Sequence, residues 1–185
     1  SCTVIFNPNG GTGSQTFQTI TGGSGTLDAN AFTRTGYTFA RWNTAADGSG
    51  TAYADGATFT AESGVASVVL YAQWTPITYN VEFNSNGGTG TMASMPMTYD
   101  VPTNLSSNAF TYDGHAFAGW NTATDGSGTA YTDGQVVSNL ASTSDATVIL
   151  YAQWKVTHTV TFYVDSVYYH SVTVIDGDEL TSVPT

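Results

Sequence analysis

The feature that most constrains this chain is an internal repeat. Three blocks of its sequence occur twice in the same order, and they match at seven of eight, twelve of fourteen and five of five positions. The pairs are Phe6–Gly13 with Phe83–Gly90, Asn43–Gly56 with Asn121–Gly134, and Leu70–Trp74 with Leu150–Trp154. Because a repeat of this kind marks a repeated structural unit, we expect tandem modules of about 77 residues, each closed around its own core.

The repeat also predicts how the chain divides. The expected segments are a first module at residues 1–76, a second at 77–156 and a partial third at 157–185. The third segment opens like the others, because His158–Phe162 matches Tyr79–Phe83 and Cys2–Phe6, but the later blocks have no counterpart in it. A strand pair without the rest of its sheet has little to bury against. We therefore expect that the parent protein continues beyond this segment.

The composition indicates a folded chain that does not bind polyanions. Hydrophobic residues make up 41% and aromatic residues 13%, which is too much for intrinsic disorder. Three basic residues stand against fourteen acidic ones, for a net charge of −11. Nucleic-acid phosphates and anionic membranes both require basic side chains, so we expect neither as a partner. No apolar run reaches the roughly 18 residues of a membrane span, so we expect no direct membrane insertion.

Alternating hydrophobic residues predict a mainly β fold. The stretch Val68–Trp74 places Leu70, Ala72 and Trp74 on one face, and Val148–Trp154 repeats it. Further strands are expected at Val4–Phe6, Gly36–Trp42 and Gly114–Trp120. His158–Val164 and Val167–Ile175 flank Asp165-Ser166, which predicts a β-hairpin with a two-residue loop.

Two local features leave alternatives open. Phe39 and Trp42 are three residues apart, so in a regular strand their side chains would point to opposite faces of the sheet. Either both faces of that strand are covered, or a β-bulge separates the two residues. Gly119 replaces Arg41 in the second repeat, which favours the bulge. Helix content should be low, and only 61–66 and 104–109 could hold a helical turn.

The repeated motifs resemble a known family. Phe83–Gly88, Gly36–Trp42, Asp47–Gly50 and Leu70–Trp74 are similar to the blocks of the Listeria-Bacteroides repeat family, also called the internalin-type B repeat. The resemblance implies a small β-grasp-like, β-rich α+β module, repeated in an elongated arrangement in secreted and cell-wall-attached bacterial proteins. It implies a spacer or adhesion module and not an enzyme. Arg41 and His115 stand where the family usually has Gly and Tyr, which puts only local packing in question.

Several motifs resemble ligand sites but have simpler explanations. Asp47–Gly50 and Asp125–Gly128 each offer one carboxylate, whereas a calcium site needs six to eight oxygen ligands. An Asp-Gly turn explains both loops. Asp176–Glu179 gathers three carboxylates, and a solvated turn explains that cluster as well. Gly10–Gly13 and Gly87–Gly90 lack the Lys-Ser/Thr and the helix of a phosphate loop, which favours hairpin loops. We expect no metal and no cofactor.

The sequence offers no catalytic arrangement. His115, His158 and His170 lack metal-ligand spacing, and no serine lies in a Gly-x-Ser-x-Gly elbow. We therefore expect no enzymatic activity. Cys2 follows Ser1 as in a lipoprotein cleavage site, but a strand-like segment begins at Thr3, which favours a structural cysteine.

Tyrosines are the weak candidates for a ligand surface, because each combines an apolar ring with a polar tip. They are Tyr53, Tyr131, Tyr168 and Tyr169, and core or sheet-face packing is the alternative for each. The expected role is a non-enzymatic extracellular segment of a bacterial surface protein, acting as spacer and contributing to adhesion. The alternatives are a module that binds carbohydrate or a host protein, and an accessory module of a secreted hydrolase.

Overall fold

The computed structural model describes residues 1–180, and its regular elements are all β-strands. This confirms the prediction of a mainly β fold, whereas the helical part of an α+β module is absent from these residues. Neither stretch that could hold a helical turn is helical. Residues 61–66 hold only a turn between Glu62 and Val65. In 104–109, Asn104 lies in a short strand and the Leu105 N–H bonds across to the Gln135 carbonyl at 2.9 Å, while the remaining residues have no regular structure.

The described chain divides into two compact units. Unit 1 consists of Ser1–Thr78, Thr98–Asp100 and Ala141–Asp145. Unit 2 consists of Tyr79–Met97, Val101–Leu140 and the described residues from Ala146 onward. Each unit has its own main β-sheet.

Unit 1 is built on a five-stranded sheet with the order β2-β1-β7-β4-β5, beside a short pair of β3 and β6. The strands are β1 (Cys2–Asn7), β2 (Thr16–Ile20), β3 (Ser24–Thr26), β4 (Tyr37–Asn43), β5 (Ala52–Tyr53), β6 (Thr58–Thr60) and β7 (Ser67–Pro76). The first strand and the last strand of the repeat, β1 and β7, pair in parallel, with Phe6 opposite Leu70. They form the middle of the sheet.

Unit 2 has the equivalent order β12-β11-β14-β8-β9, with β15 added to β14 and with β10 and β13 as the short pair. The strands are β8 (Thr78–Asn84), β9 (Met95–Thr98), β10 (Thr103–Asn104), β11 (His115–Asn121), β12 (Ala130–Tyr131), β13 (Val136–Val137), β14 (Thr147–Val164) and β15 (Val167–Ile175). Again the first and last strands of the repeat pair in parallel, with Phe83 opposite Leu150. β14 runs without a break from the second repeat into the partial third.

The β-bulge expected in the third strand of each repeat is present. The register of β4 against β7 shifts between Phe39 and Arg41, and that of β11 against β14 shifts between Phe117 and Gly119. The extra residue turns Phe39 towards the indole of Trp42, and their ring centroids lie 4.9 Å apart. The bulge therefore explains how two residues three positions apart in one strand pack against each other.

Aromatic residues dominate the core of unit 1. Trp42 is 1% exposed and contacts the rings of Phe6 and Phe32. Cys2 is also buried in this core, which favours the structural interpretation of that cysteine over a lipid-bearing one. The core cluster consists of Cys2, Val4, Phe6, Ile20, Leu27, Phe32, Trp42, Phe59, Leu70 and Ala72.

The predicted hairpin is confirmed. Val164 pairs with Val167, and the two loop residues Asp165 and Ser166 have φ angles of +49° and +64°. Two successive positive φ angles define a type I′ turn, whose twist matches that of the flanking strands. A bulge at Tyr169 then separates the Tyr163–Tyr168 pair from the Phe162–His170 pair.

Candidate functional site

The repeated Asp-Gly-Ser-Gly loop is organised by a buried asparagine that the sequence analysis did not single out. The side chain of Asn43, 2% exposed, accepts hydrogen bonds from the N–H groups of Ala45 and Gly50 at 2.9 Å each. Its amide donates to the carbonyl groups of Gly48 and Gly50. Asn121 makes the equivalent four bonds in unit 2. The conserved spacing between Asn and the loop glycines in both repeats was the signal that could have identified it.

The carboxylate of this loop has a local partner. Asp47 Oδ1 accepts hydrogen bonds from the Ser49 hydroxyl at 2.6 Å and from the Ser49 N–H at 3.0 Å. These bonds hold the pKa of Asp47 below its usual value, because they stabilise the charged form. The Gly48 N–H closes the turn on the Ala45 carbonyl, and Gly48 has a φ of +79°. The geometry is that of the predicted Asp-Gly turn.

The carboxylate eight residues after the aspartate of each loop lies in a separate interaction. Asp55 Oδ1 accepts a 2.8 Å hydrogen bond from the Asn30 N–H, and Asp133 does the same for Asn108. Within residues 1–180, no three His, Cys, Asp or Glu side chains lie close enough to hold a metal ion. That range includes both Asp-Gly-Ser-Gly loops and the acidic segment Asp176–Glu179, in which Asp176 faces His158 at 3.5 Å.

The glycine-rich loop after β1 packs against the last strand of the repeat. Asn9, at a φ of +44°, donates from Nδ2 to the carbonyl groups of Ala46 and Ala72 at 2.9 and 2.8 Å. A Cβ on Gly11 would lie 2.6 Å from the Trp74 ring, so only glycine fits there. The loop is a packing element, which explains why Asn-Gly-Gly and Gln-Trp recur together.

Two of the four candidate tyrosines contact the core. Tyr53 is half-buried, lies opposite Trp42 in the β4–β5 pair and contacts the Phe59 ring at 5.5 Å. Tyr131 is the half-buried equivalent opposite Trp120 in unit 2. Their positions fit the packing alternative.

The other two tyrosines lie on the β14–β15 hairpin. Tyr168 is 60% exposed and its ring lies 6.4 Å from that of Tyr163, which is 63% exposed. The sequence analysis missed Tyr163, although the predicted two-residue loop places it near Tyr168. Together these residues form a patch that we call the hairpin tip, namely Tyr163, Val164, Val167, Tyr168 and Tyr169.

The histidines lie apart from one another in the fold. The His115 ring stacks on Tyr112 at 3.9 Å, and His158 faces Asp176 on the exposed base of the hairpin. His170 pairs with Phe162 across the hairpin. The structure does not bring them together into one site.

Unit 1 contains one charged cluster that the sequence analysis also missed. The Arg34 guanidinium lies 3.9 Å from the centre of the Tyr37 ring. The Tyr37 hydroxyl donates a 2.5 Å hydrogen bond to Asp100 Oδ2. That bond raises the pKa of the Tyr37 hydroxyl, because it favours the protonated form. Arg34 and Tyr37 are half-buried and Asp100 is exposed, and the cluster fits an anchoring contact for Thr98–Asp100.

Comparison with known families fits this duplicated geometry. The sequence profile of the Listeria-Bacteroides repeat domain matches the chain twice, at residues 3–73 and 79–153. The chain belongs to the Listeria-Bacteroides repeat family. This confirms the resemblance seen in the motifs, and the bulge, the buried asparagine and the glycine-rich loop recur in both copies of the repeat.

One relative of the Listeria-Bacteroides repeat chain is a much longer protein. A protein of Evansella cellulosilytica that is named as a Gly-rich membrane protein is 37% identical over 135 residues. The aligned region covers 70% of this chain and 15% of that protein, so the chain spans only a small part of its relative's length. Among the described residues of this chain, no helix is long and apolar enough to span a membrane.

Proposed function

We propose that the chain is a non-enzymatic, extracellular repeat segment of a bacterial surface protein, in which it acts as a spacer under tension. The family and the membrane-protein name of the relative support this role. The spread of the histidines and the local bonds of Asp47 and Asp55 support the absence of catalysis.

The observation that carries the proposal is the parallel pairing of first and last strands in each repeat. Thr3 pairs with Ser67 and Asn7 with Tyr71, so β1 and β7 run in the same direction side by side. A pull that separates the start of β1 from the end of β7 loads the whole ladder in shear, and several hydrogen bonds must break together. β8 and β14 have the same geometry. Such a module resists extension along its own chain.

Single-molecule force spectroscopy tests this proposal on the full chain. Handles attached through Ser1→Cys and Thr75→Cys pull β1 and β7 in shear. Both positions are exposed, so the handles leave the core intact. We expect rupture of unit 1 at a well-defined force, with a gain in length of about 3.5 Å for each residue released.

A matched variant changes only the direction of the pull. Handles at Ser1→Cys and Ser63→Cys lie at the same end of the two strands, because the ladder starts at Thr3 and Ser67. This geometry peels the strands apart one bond at a time. We expect a rupture force several times lower than in the shear geometry. Equal forces in the two geometries would contradict the spacer proposal.

A second role, adhesion, is favoured by the hairpin tip. Five neighbouring exposed residues, three of them tyrosines, offer ring faces and hydroxyl groups to a glycan or a host protein. A glycan array and a pull-down with host surface proteins test it. Binding by the native chain that is lost in Tyr163→Ser/Tyr168→Ser, and kept in the control Tyr53→Phe, supports adhesion, and binding unchanged by the double substitution rejects it.

A further inference from the structure

We propose that the free edge of β14, from His158 to Val164, is a docking site for one parallel β-strand of the Val-Leu-Tyr-Ala-Gln-Trp type. The occupant is a strand from a separate polypeptide segment. The two strands of this type in the chain, β7 and the first half of β14, already pair within their own sheets. The inference is independent of the spacer role.

Backbone hydrogen bonds show which edge of β14 is free. The Thr157 N–H donates to the Gly114 carbonyl at 2.8 Å on one edge, and the Val156 carbonyl accepts from the Asp176 N–H at 2.7 Å on the other. Successive residues of a strand alternate between edges. Thr159, Thr161 and Tyr163 therefore direct their N–H and C=O groups to the Gly114 edge, along which no described strand pairs beyond Thr157.

The two complete repeats show what occupies this edge. Thr159 is the counterpart of Thr3 and Asn80 in the aligned repeats. The Thr3 N–H donates to the Ala66 carbonyl and the Asn80 N–H to the Ala146 carbonyl, both at 2.9 Å. In each case the acceptor lies just before the parallel strand that carries Leu-Tyr-Ala-Gln-Trp.

One side chain of the hairpin is less buried than its counterparts in the two complete repeats. Val4 and Val81 are both 0% exposed, whereas their counterpart Val160 is only half-buried. Leu70 lies opposite Phe6 in the parallel pair, so an incoming strand would place its leucine opposite Phe162. Burial of that apolar face would add to the backbone hydrogen bonds of strand addition.

Charge and strand usage argue against a second copy of this chain as the occupant. Each copy carries a net charge of −11, so two copies repel each other. Both strands of the required type already lie inside the sheets of their own units. A second copy could supply such a strand only by removing it from its own sheet. A separate, uncharged strand would bind without this loss and without charge repulsion.

Binding of a synthetic peptide to the full chain tests the proposal. The peptide has the sequence of Ser67–Pro76 with a solubilising lysine tag and a fluorophore. We expect saturable one-to-one binding by fluorescence anisotropy. A nitroxide at the peptide's amino end should broaden the amide signals of His158 and Thr159 more than those of Tyr163, because the register of the parallel pair starts at Thr3 and Ser67.

Two proline variants separate docking from hairpin stability. Thr161→Pro removes an N–H that faces the free edge, and we expect at least a tenfold weaker affinity. Thr173→Pro removes an N–H that faces the outer edge of β15, because Thr173 pairs with Thr159, whose N–H points away from β15. Proline is tolerated at such edge positions. This control should bind as the native chain does.

Four outcomes overturn the proposal. The first is that Thr161→Pro binds the peptide as tightly as the native chain does, and the second is that a scrambled peptide binds equally well. The third is that the nitroxide broadens the amide signal of Tyr163 more than those of His158 and Thr159. The fourth is that the native chain forms a dimer that the peptide does not dissociate. The last outcome would assign the edge to a second copy. Amide signals of Tyr168 in both variants confirm that the hairpin persists.

Discussion

The indole Nε1 of Trp74 donates a 2.9 Å hydrogen bond to the carbonyl oxygen of Pro8, and thereby joins the last strand of the first repeat to the loop that follows its first strand. Trp154 and Ser85 repeat the bond at 2.8 Å. Trp74→Phe removes the donor together with the pyrrole part of the indole. We expect unit 1 to lose at least about 1 kcal/mol, the net value of one such bond, because some ring packing is lost as well. Urea denaturation, followed through the amide signals of unit 1, measures the loss in the free energy of unfolding. Trp154→Phe should lower the free energy of unfolding of unit 2 by a similar amount. No change in either variant would show that the bond contributes nothing.

Asn43 should matter more than the charged residue of its own loop. Asn43→Ala removes all four hydrogen bonds by which the buried side chain holds the backbone of the loop. We expect a loss of about 2–4 kcal/mol in the free energy of unfolding. The control Asp47→Asn, at an exposed position, should cost clearly less. The reverse order would mean that the carboxylate organises the loop.

The stability of both units should fall in acid. Bonds from Ser49 and Ser127 lower the pKa values of Asp47 and Asp125 in the folded chain. Folded carboxylates with lowered pKa values stabilise the protein above the unfolded pKa, near 3.9, and this contribution disappears as the pH falls through the folded pKa. Denaturation between pH 6 and 2 should therefore show a loss below about pH 4 that is smaller in Asp47→Asn/Asp125→Asn. An identical acid profile in the double variant would reject this contribution.

Two equivalent glycines should respond differently to the same substitution. Gly36 and Gly114 have φ angles of +76° and +71°, so alanine is strained by about 1 kcal/mol at both. A Cβ on Gly36 would also lie 2.2 Å from Cε1 of Tyr99, whereas a Cβ on Gly114 meets nothing within 4 Å. We expect Gly36→Ala to cost more by denaturation than Gly114→Ala. Adding Tyr99→Ala should remove the difference, and equal costs in the single variants would show that the ring moves freely.

The hairpin loop can be improved by one substitution. Ser166 has a φ of +64°, which is unfavourable for serine and neutral for glycine. Ser166→Gly should stabilise the hairpin by a few tenths to about 1 kcal/mol. Hydrogen exchange of the amides of Val160 and Val172 measures it. Faster exchange than in the native chain would contradict the type I′ assignment.

The sequence predicted those parts of the fold that depend on local pattern. The hairpin followed from Asp165-Ser166 between alternating residues. The bulge was one of two alternatives that the spacing of Phe39 and Trp42 left open, and Gly119 in the second repeat favoured it. The role of Asn43 did not follow, because its burial depends on how the loop folds back over it. Asp47, whose loop was predicted to be an Asp-Gly turn rather than a calcium site, has a local partner in Ser49.

The exposure of the candidate tyrosines was only partly predictable for a related reason. Tyr53 and Tyr168 look alike in sequence, but Tyr53 lies half-buried opposite Trp42, whereas Tyr168 is 60% exposed on the hairpin. Tyr163 could have been placed beside Tyr168 from the loop length alone. The surroundings of each ring required the complete sheet.

The unbroken course of β14 has a practical consequence for anyone who divides this chain. The Thr157 N–H donates to the Gly114 carbonyl, and the Ile77 N–H donates to the Gly36 carbonyl at 2.9 Å. The residue that begins the following segment therefore supplies one backbone hydrogen bond to each repeat. A fragment that ends at residue 76 or 156 would lose this hydrogen bond, and the end of its last strand would fray. Fragments designed to hold a single repeat should include residue 77 or 157 and a few residues beyond it.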